Sequence, residues 1–178
     1  AANSGSLGTA ANAGYQYWSA TALDLDSPTY PGFATDNRVL QTSGTNGFVS
    51  APALNLNANT VTMECWIKRN GDQGSYNGVL FHRGGGGTAT GIMFRDTSNE
   101  LGYHWSDQYY TWASGLIPPD GAWAYIALAI TPSKATMYMY DGTTWLSAAN
   151  EVSHAPQAFA ATTRVATDDG TGRFFNGL

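Results

Sequence analysis

Charge is what this chain lacks most. Only 12% of its 178 residues are charged, about half the usual quarter for soluble proteins. Cations are the scarcer sign: eight Lys and Arg stand against thirteen Asp and Glu, a formal net charge of −5, and Lys68 and Lys134 are the only lysines. Binding to nucleic acid needs a basic stripe that displaces counterions, so that partner class is excluded. Cysteine is almost absent as well. The lone Cys65 cannot form an internal disulfide and reads as an inert core residue, which removes disulfide scaffolds without excluding secretion. No apolar run approaches the roughly eighteen residues of a membrane span. No signal peptide opens the chain, which begins AANSGS; the expectation is a removed leader or a segment of something longer. HExxH, paired CxxC, P-loop and GxSxG motifs are all missing, and with them the metalloprotease, zinc, nucleotide and serine-hydrolase chemistries they carry.

What is present is a polar, uncharged surface vocabulary and many strands. Residues 60–69, TVTMECWIKR, alternate cleanly. Val61, Met63, Cys65 and Ile67 fall on one side, and Thr62, Glu64, Trp66 and Lys68 on the other. The β-branched and aromatic content, closed by Asn70-Gly71-Asp72, favours a strand over a helix. Residues 1–14 read as a loop or connector. Strands are expected over 38–42 and 47–52, joined as a tight hairpin by Asn46-Gly47, and then over 78–83, 90–95, 100–105 and 109–112. The apolar run 122–131 predicts a strand at the centre of a sheet. Further strands follow over 135–140, 144–148, 162–167 and 173–175, with Asp141-Gly142 as a hairpin turn. About a dozen short strands without a helix predict one all-β domain spanning 1–178, a two-sheet antiparallel β-sandwich of jelly-roll type.

The ordered set TVTMECWIKRNG, GVLFHRGG, LGYHW, SGLIPPDGAWAYIALAITPSKATMYMY and GRFFNG resembles the laminin-G-like, concanavalin A-like jelly-roll domains of bacterial surface and secreted proteins, over roughly residues 37–178. The resemblance implies an extracellular or cell-surface setting and makes Trp66 and Trp123 scaffold residues. It also implies flanking first and last strands that this chain lacks, so an adjoining domain or a neighbouring subunit is expected to complete the open edges. Some similar domains hold calcium with loop oxygens. Asn3, Asp168 and Asp169 stand in the corresponding places, and Asp168-Asp169-Gly170 reads equally as turn chemistry.

The strongest functional signal is LGYHWSDQYYTW, residues 101–112. Flat rings stack on the C–H faces of sugars while neighbouring Asp and Gln bond their hydroxyls, so Trp105, Asp107, Gln108, Tyr110 and Trp112 are the candidate ligand-binding set. Alternation sends some of these rings inward, and two or three are expected at the surface. Trp145 and Trp18 are second candidates. Glu64 is the one carboxylate on the central strand, whereas a retaining glycosidase needs a pair; a bond to Arg83 or Arg95 is its simpler use. His82, His104 and His154 are scattered and read as polar packing rather than metal ligands. The leading expectation is therefore a non-enzymatic extracellular module that binds glycan or mediates adhesion. The alternatives are a structural subunit of a surface assembly or filament, and a glycoside hydrolase of this fold.

Overall fold

The computed structural model describes residues 14–16, 21–24, 38–84 and 89–178, with side chains described from residue 38 onward. The connector expected over residues 1–14 and the candidates Asn3 and Trp18 lie outside the described residues. Among those described there are strands and no helix. They are β1 (Gly14–Gln16), β2 (Thr21–Asp24), β3 (Val39–Ser43), β4 (Phe48–Ala51), β5 (Val61–Ile67), β6 (Gly78–His82), β7 (Thr90–Phe94), β8 (Leu101–His104), β9 (Ala124–Thr131), β10 (Lys134–Tyr140), β11 (Trp145–Asn150), β12 (Thr163–Val165) and β13 (Asn176–Gly177). A six-stranded sheet runs β1-β4-β12-β6-β7-β8, a four-stranded sheet β11-β10-β9-β5, and a three-stranded sheet β13-β3-β2. All the named pairings are antiparallel.

The two larger sheets share one core, as alternation dictates. Val61, Met63, Cys65 and Ile67 of β5 pack inward beside Ile126, Leu128 and Ile130 of β9 and Met137 and Met139 of β10. The six-stranded sheet meets them with Ile92, Phe94, Leu101 and Tyr103. Cys65 sits in this packing, where burial, and then the charge of Glu64, push its thiol up to about 12. At that value it is no nucleophile.

Two expected elements are corrected. β3 and β4 do not pair with each other: β3 joins β2 and β13, and β4 joins β1 and β12. Residues 44–47 therefore form a corner between sheets rather than a tight hairpin, and the left-handed residue is Gly44, at φ 73°, packed against Asn176. Nor is there a strand over residues 109–112. Ser106, Asp107 and Tyr109 adopt positive φ, which coils that stretch into a turn. The expected hairpin at Asp141-Gly142 does form, with Tyr140 opposite Trp145.

Candidate functional site

The site grows from the outer face of β6, β7 and β8. Opposite the core, Phe81, Gly91 and His104 stand in one cross-strand row. Gly91 leaves no room for a Cβ, which would strike Leu80 and Phe81. The Phe81 ring instead leans to within 5.4 Å of the His104 ring. At the start of β6, a Cβ on Gly78 would meet the Thr167–Asp168 backbone. This close approach brings Asp168 onto the same face.

Asp168 is fully buried and holds two guanidinium groups. Arg83 donates from Nε to Oδ1 at 2.6 Å and from Nη2 to Oδ2 at 2.8 Å, and Arg173 donates from Nη1 to Oδ2 at 2.6 Å. Such fork-shaped, charge-assisted bonds fix direction as well as position. The Arg173 guanidinium also lies 5.2 Å from the centre of the Tyr76 ring.

Between these groups lies a pocket of about 290 Å³ lined by Tyr76, Arg83, His104, Asp107, Tyr110 and Arg173. His104 is its most buried lining group, 5% exposed. Neither of its ring nitrogens has a hydrogen-bond partner, and Nδ1 lies 3.8 Å from Asp107 Oδ1. Burial is the main reason its pKa falls to about 4, so the ring is neutral at pH 7 and offers one donor and one acceptor. Tyr110, 40% exposed, stacks on His104 at 5.2 Å with 24° between the planes. The turn that presents Asp107 and Tyr110 is closed by reciprocal backbone bonds between Trp105 and Gln108 and tied by Asp107 N–H to the Ala89 carbonyl. Left-handed backbone clustered beside a pocket is strain of the kind functional sites hold. The lining carries two guanidiniums and one carboxylate, and the second carboxylate, Asp168, lies buried behind the arginines and brings the local sum of formal charge to zero. The lining presents donors, acceptors and a ring face to a neutral polar molecule.

The sequence-predicted set divides here. Asp107 and Tyr110 line the pocket. Gln108 is exposed on the same turn but is not part of the lining. Trp105 is corrected: it is 1% exposed, and its indole N–H donates to the Ala155 carbonyl at 2.7 Å. It shares the inward parity of Tyr103, and that parity governs. Trp112 is half-buried, edge-on to Tyr103 at 5.4 Å, and packs on the core. Sequence reading missed Tyr76, Arg83, His104 and Arg173. His104 was within reach: with Tyr103 and Trp105 inward, the residue between them must face out.

Other expectations resolve as follows. Glu64 pairs with neither arginine. It accepts from the Tyr125 hydroxyl at 2.6 Å, while Arg83 goes to Asp168 and Arg95 to Glu100. His154 packs against Tyr103, with Nε2 3.0 Å from its hydroxyl, and His82 against Phe159. The oxygens of Asp168 are taken by guanidinium donors, and Asp169 Oδ1 accepts from the N–H groups of Thr171 and Gly172. Among the described residues no group of three or more His, Cys, Asp or Glu could hold a metal ion. The third calcium candidate, Asn3, lies outside the described residues. No described helix is long and apolar enough to cross a membrane.

Comparison with known proteins agrees with this architecture. The family model described as the Concanavalin A-like lectin/glucanases superfamily matches residues 43–178. A similar solved structure is domain 4 of AbnA, a GH43 extracellular arabinanase from Geobacillus stearothermophilus, in complex with arabinotriose. It is 14% identical over 89% of this chain and 78% of that one, with a TM-score of 0.57, a likeness of fold alone. No curated protein matches the chain.

Proposed function

The chain belongs to the Concanavalin A-like lectin/glucanases superfamily, and from that premise we propose that it is a non-catalytic extracellular recognition module whose pocket receives a neutral glycan. One observation carries the reading: the buried, neutral His104, with both ring nitrogens unpartnered in the protein, lies under the exposed ring of Tyr110. Leaving such a group unsatisfied costs about 1–3 kcal/mol, and a ligand hydroxyl restores the lost bonds. Tyr110 offers the flat face on which a sugar ring stacks. Arg83 and Arg173, aimed by Asp168, donate to ring or hydroxyl oxygens, and Asp107 accepts from hydroxyls. With both arginines already paired to the buried Asp168 and Asp107 beside them in the lining, the local charge is balanced, which favours a neutral sugar over a uronate or sulfate. The arabinotriose bound by AbnA domain 4 lends the reading support by analogy of fold.

The family description covers lectins and glucanases alike, and the placement of the carboxylates supports binding. Hydrolysis with retention calls for two carboxyl groups about 5–5.5 Å apart. Asp168 is consumed by its arginines. Glu100 is tied to Arg95 and to the Gly115 N–H, and Glu64 stands alone on β5.

Affinity electrophoresis through gels containing arabinan, xylan or mixed-linkage glucan tests the reading. At least one polysaccharide should retard the protein, with Tyr110→Ala and Asp107→Asn each weakening the effect about tenfold. Both positions are exposed, so folding survives. Unchanged retardation in both variants would sink the assignment to this pocket, and reducing sugar released by the protein and abolished in Glu64→Gln would sink the non-catalytic reading.

A further inference from the structure

A second surface lies on the opposite layer, independent of the pocket. Strand register places Trp66 of β5 opposite Tyr125 of β9, Tyr125 opposite Tyr140 of β10, and Tyr140 opposite Trp145 of β11. Each of the four strands thus contributes one aromatic residue to a single row. Their inner neighbours Cys65, Ile126, Met139 and Ala124 pack on the core, so alternation turns this row outward. The rings touch: Trp66 and Tyr125 are 5.5 Å apart, Tyr140 and Trp145 5.2 Å, and Trp145 reaches back to Tyr125 at 5.7 Å. Trp145 is 62% exposed. The adjoining row holds Glu64, Ala127, Tyr138 and Ser147, so hydroxyls and one carboxylate border the rings.

The geometry points to this row as a second binding site, for a neutral polysaccharide chain laid across the strands. A four-strand row spans about 14 Å between its outer members, enough for about three linked sugar rings. Its footprint, on the order of 100 Å², falls far short of the roughly 800 Å² per partner that a stable protein interface needs. Past it the face carries the small side chains Ala127, Ala129, Ser147 and Ala149 around the single exposed ring of Tyr138, which leaves a protein partner one anchor. Charge agrees with a neutral ligand. The only carboxylate in these two rows, Glu64, is already bonded to the Tyr125 hydroxyl, and the rows contain no cation. Aromatic faces beside hydroxyls and one acceptor suit sugar rings and hydroxyls, whereas an anionic glycan would meet the Glu64 carboxylate beside the row.

The test uses the same arabinan, xylan and mixed-linkage glucan gels, read in a Tyr110→Ala background so that the pocket's stacking ring is removed. Retardation should persist in that background, and adding Trp145→Ala should weaken it tenfold or more, because Trp145 is the most exposed of the four rings. Indole fluorescence of the Tyr110→Ala protein should shift to the blue on titration with the retarding polysaccharide, and Trp145→Ala should remove that shift. Retardation indifferent to Trp145→Ala, or absent in the Tyr110→Ala background, overturns the proposal. So does light scattering that finds a dimer dissolved by Trp145→Ala, which would give the row to a second copy of the chain.

Discussion

The polar pocket gathers six lining residues from four separated stretches of chain, at 76, 83, 104–110 and 173, whereas the aromatic row takes one residue from each of four hydrogen-bonded neighbours. One surface depends on long-range folding and on a buried anion that aims its arginines. The other depends on pairing register alone. Damage to the pocket's support should therefore reach the whole fold, and damage to the row should stay local.

The largest expected effect comes from Asp168→Ala. It leaves Arg83 and Arg173 beside a cavity without their shared carboxylate, and breaking a buried ion pair by removing one partner costs about 3–5 kcal/mol. Both guanidiniums keep some solvent access, with side chains 28% and 42% exposed, which places the loss toward the lower end. Trp145→Ala should change unfolding free energy by no more than about 0.5 kcal/mol, as exposed substitutions do. Urea unfolding of both variants measures the contrast, and equal losses would break it.

Acid should separate the two surfaces next. The pKa of His104 is about 4 in the fold against an unperturbed value near 6.5. Between those limits the unfolded chain takes up a proton that the native ring refuses, so stability falls as pH drops from 6.5 to 4 and levels off below. His104 alone accounts for a loss on the order of 3 kcal/mol. His82 and His154, also lowered chiefly by burial, add to it in the same direction. His104→Gln should flatten the slope of unfolding free energy against pH in this window. A slope identical to that of the parent would mean that His104 takes up its proton in the fold as readily as in the unfolded chain.

The same contrast explains what could be read before the fold was known. The inward set of β5 and the long β9 were legible because alternation is a local property, and so was the hairpin that puts Tyr140 opposite Trp145. The aromatic row was implicit in those parities: Trp66 shares its face with Glu64, and Tyr138 and Tyr140 share theirs. Assigning Trp66 mainly to packing concealed it. The pocket was half legible. Asp107 and Tyr110 stood out by residue type, but Tyr76, Arg83 and Arg173 join them only because Asp168 crosses Gly78 and binds both arginines, a contact that no local pattern encodes. Trp105 misled for the opposite reason, since ring chemistry was weighed above the parity it shares with Tyr103.

The smallest effect tests whether the polar edge of the row is as local as its rings. Burial, and then the hydrogen bond to Glu64, raise the Tyr125 phenol to about 12. Replacing the carboxylate by an amide removes the charge that opposes ionisation of the phenol while keeping an acceptor oxygen in place. In Glu64→Gln the Tyr125 phenol should therefore ionise at a lower pH than in the parent, still held above the ordinary value of about 10 by its burial, seen as tyrosinate absorbance that develops earlier in an alkaline titration. Unfolding free energy should fall by less than about 1 kcal/mol, the scale of one solvent-exposed hydrogen bond. A loss as large as that of Asp168→Ala would mean that the Glu64–Tyr125 contact supports the sheet itself, and the distinction between a surface set by register and one set by a buried anion would fail at that point.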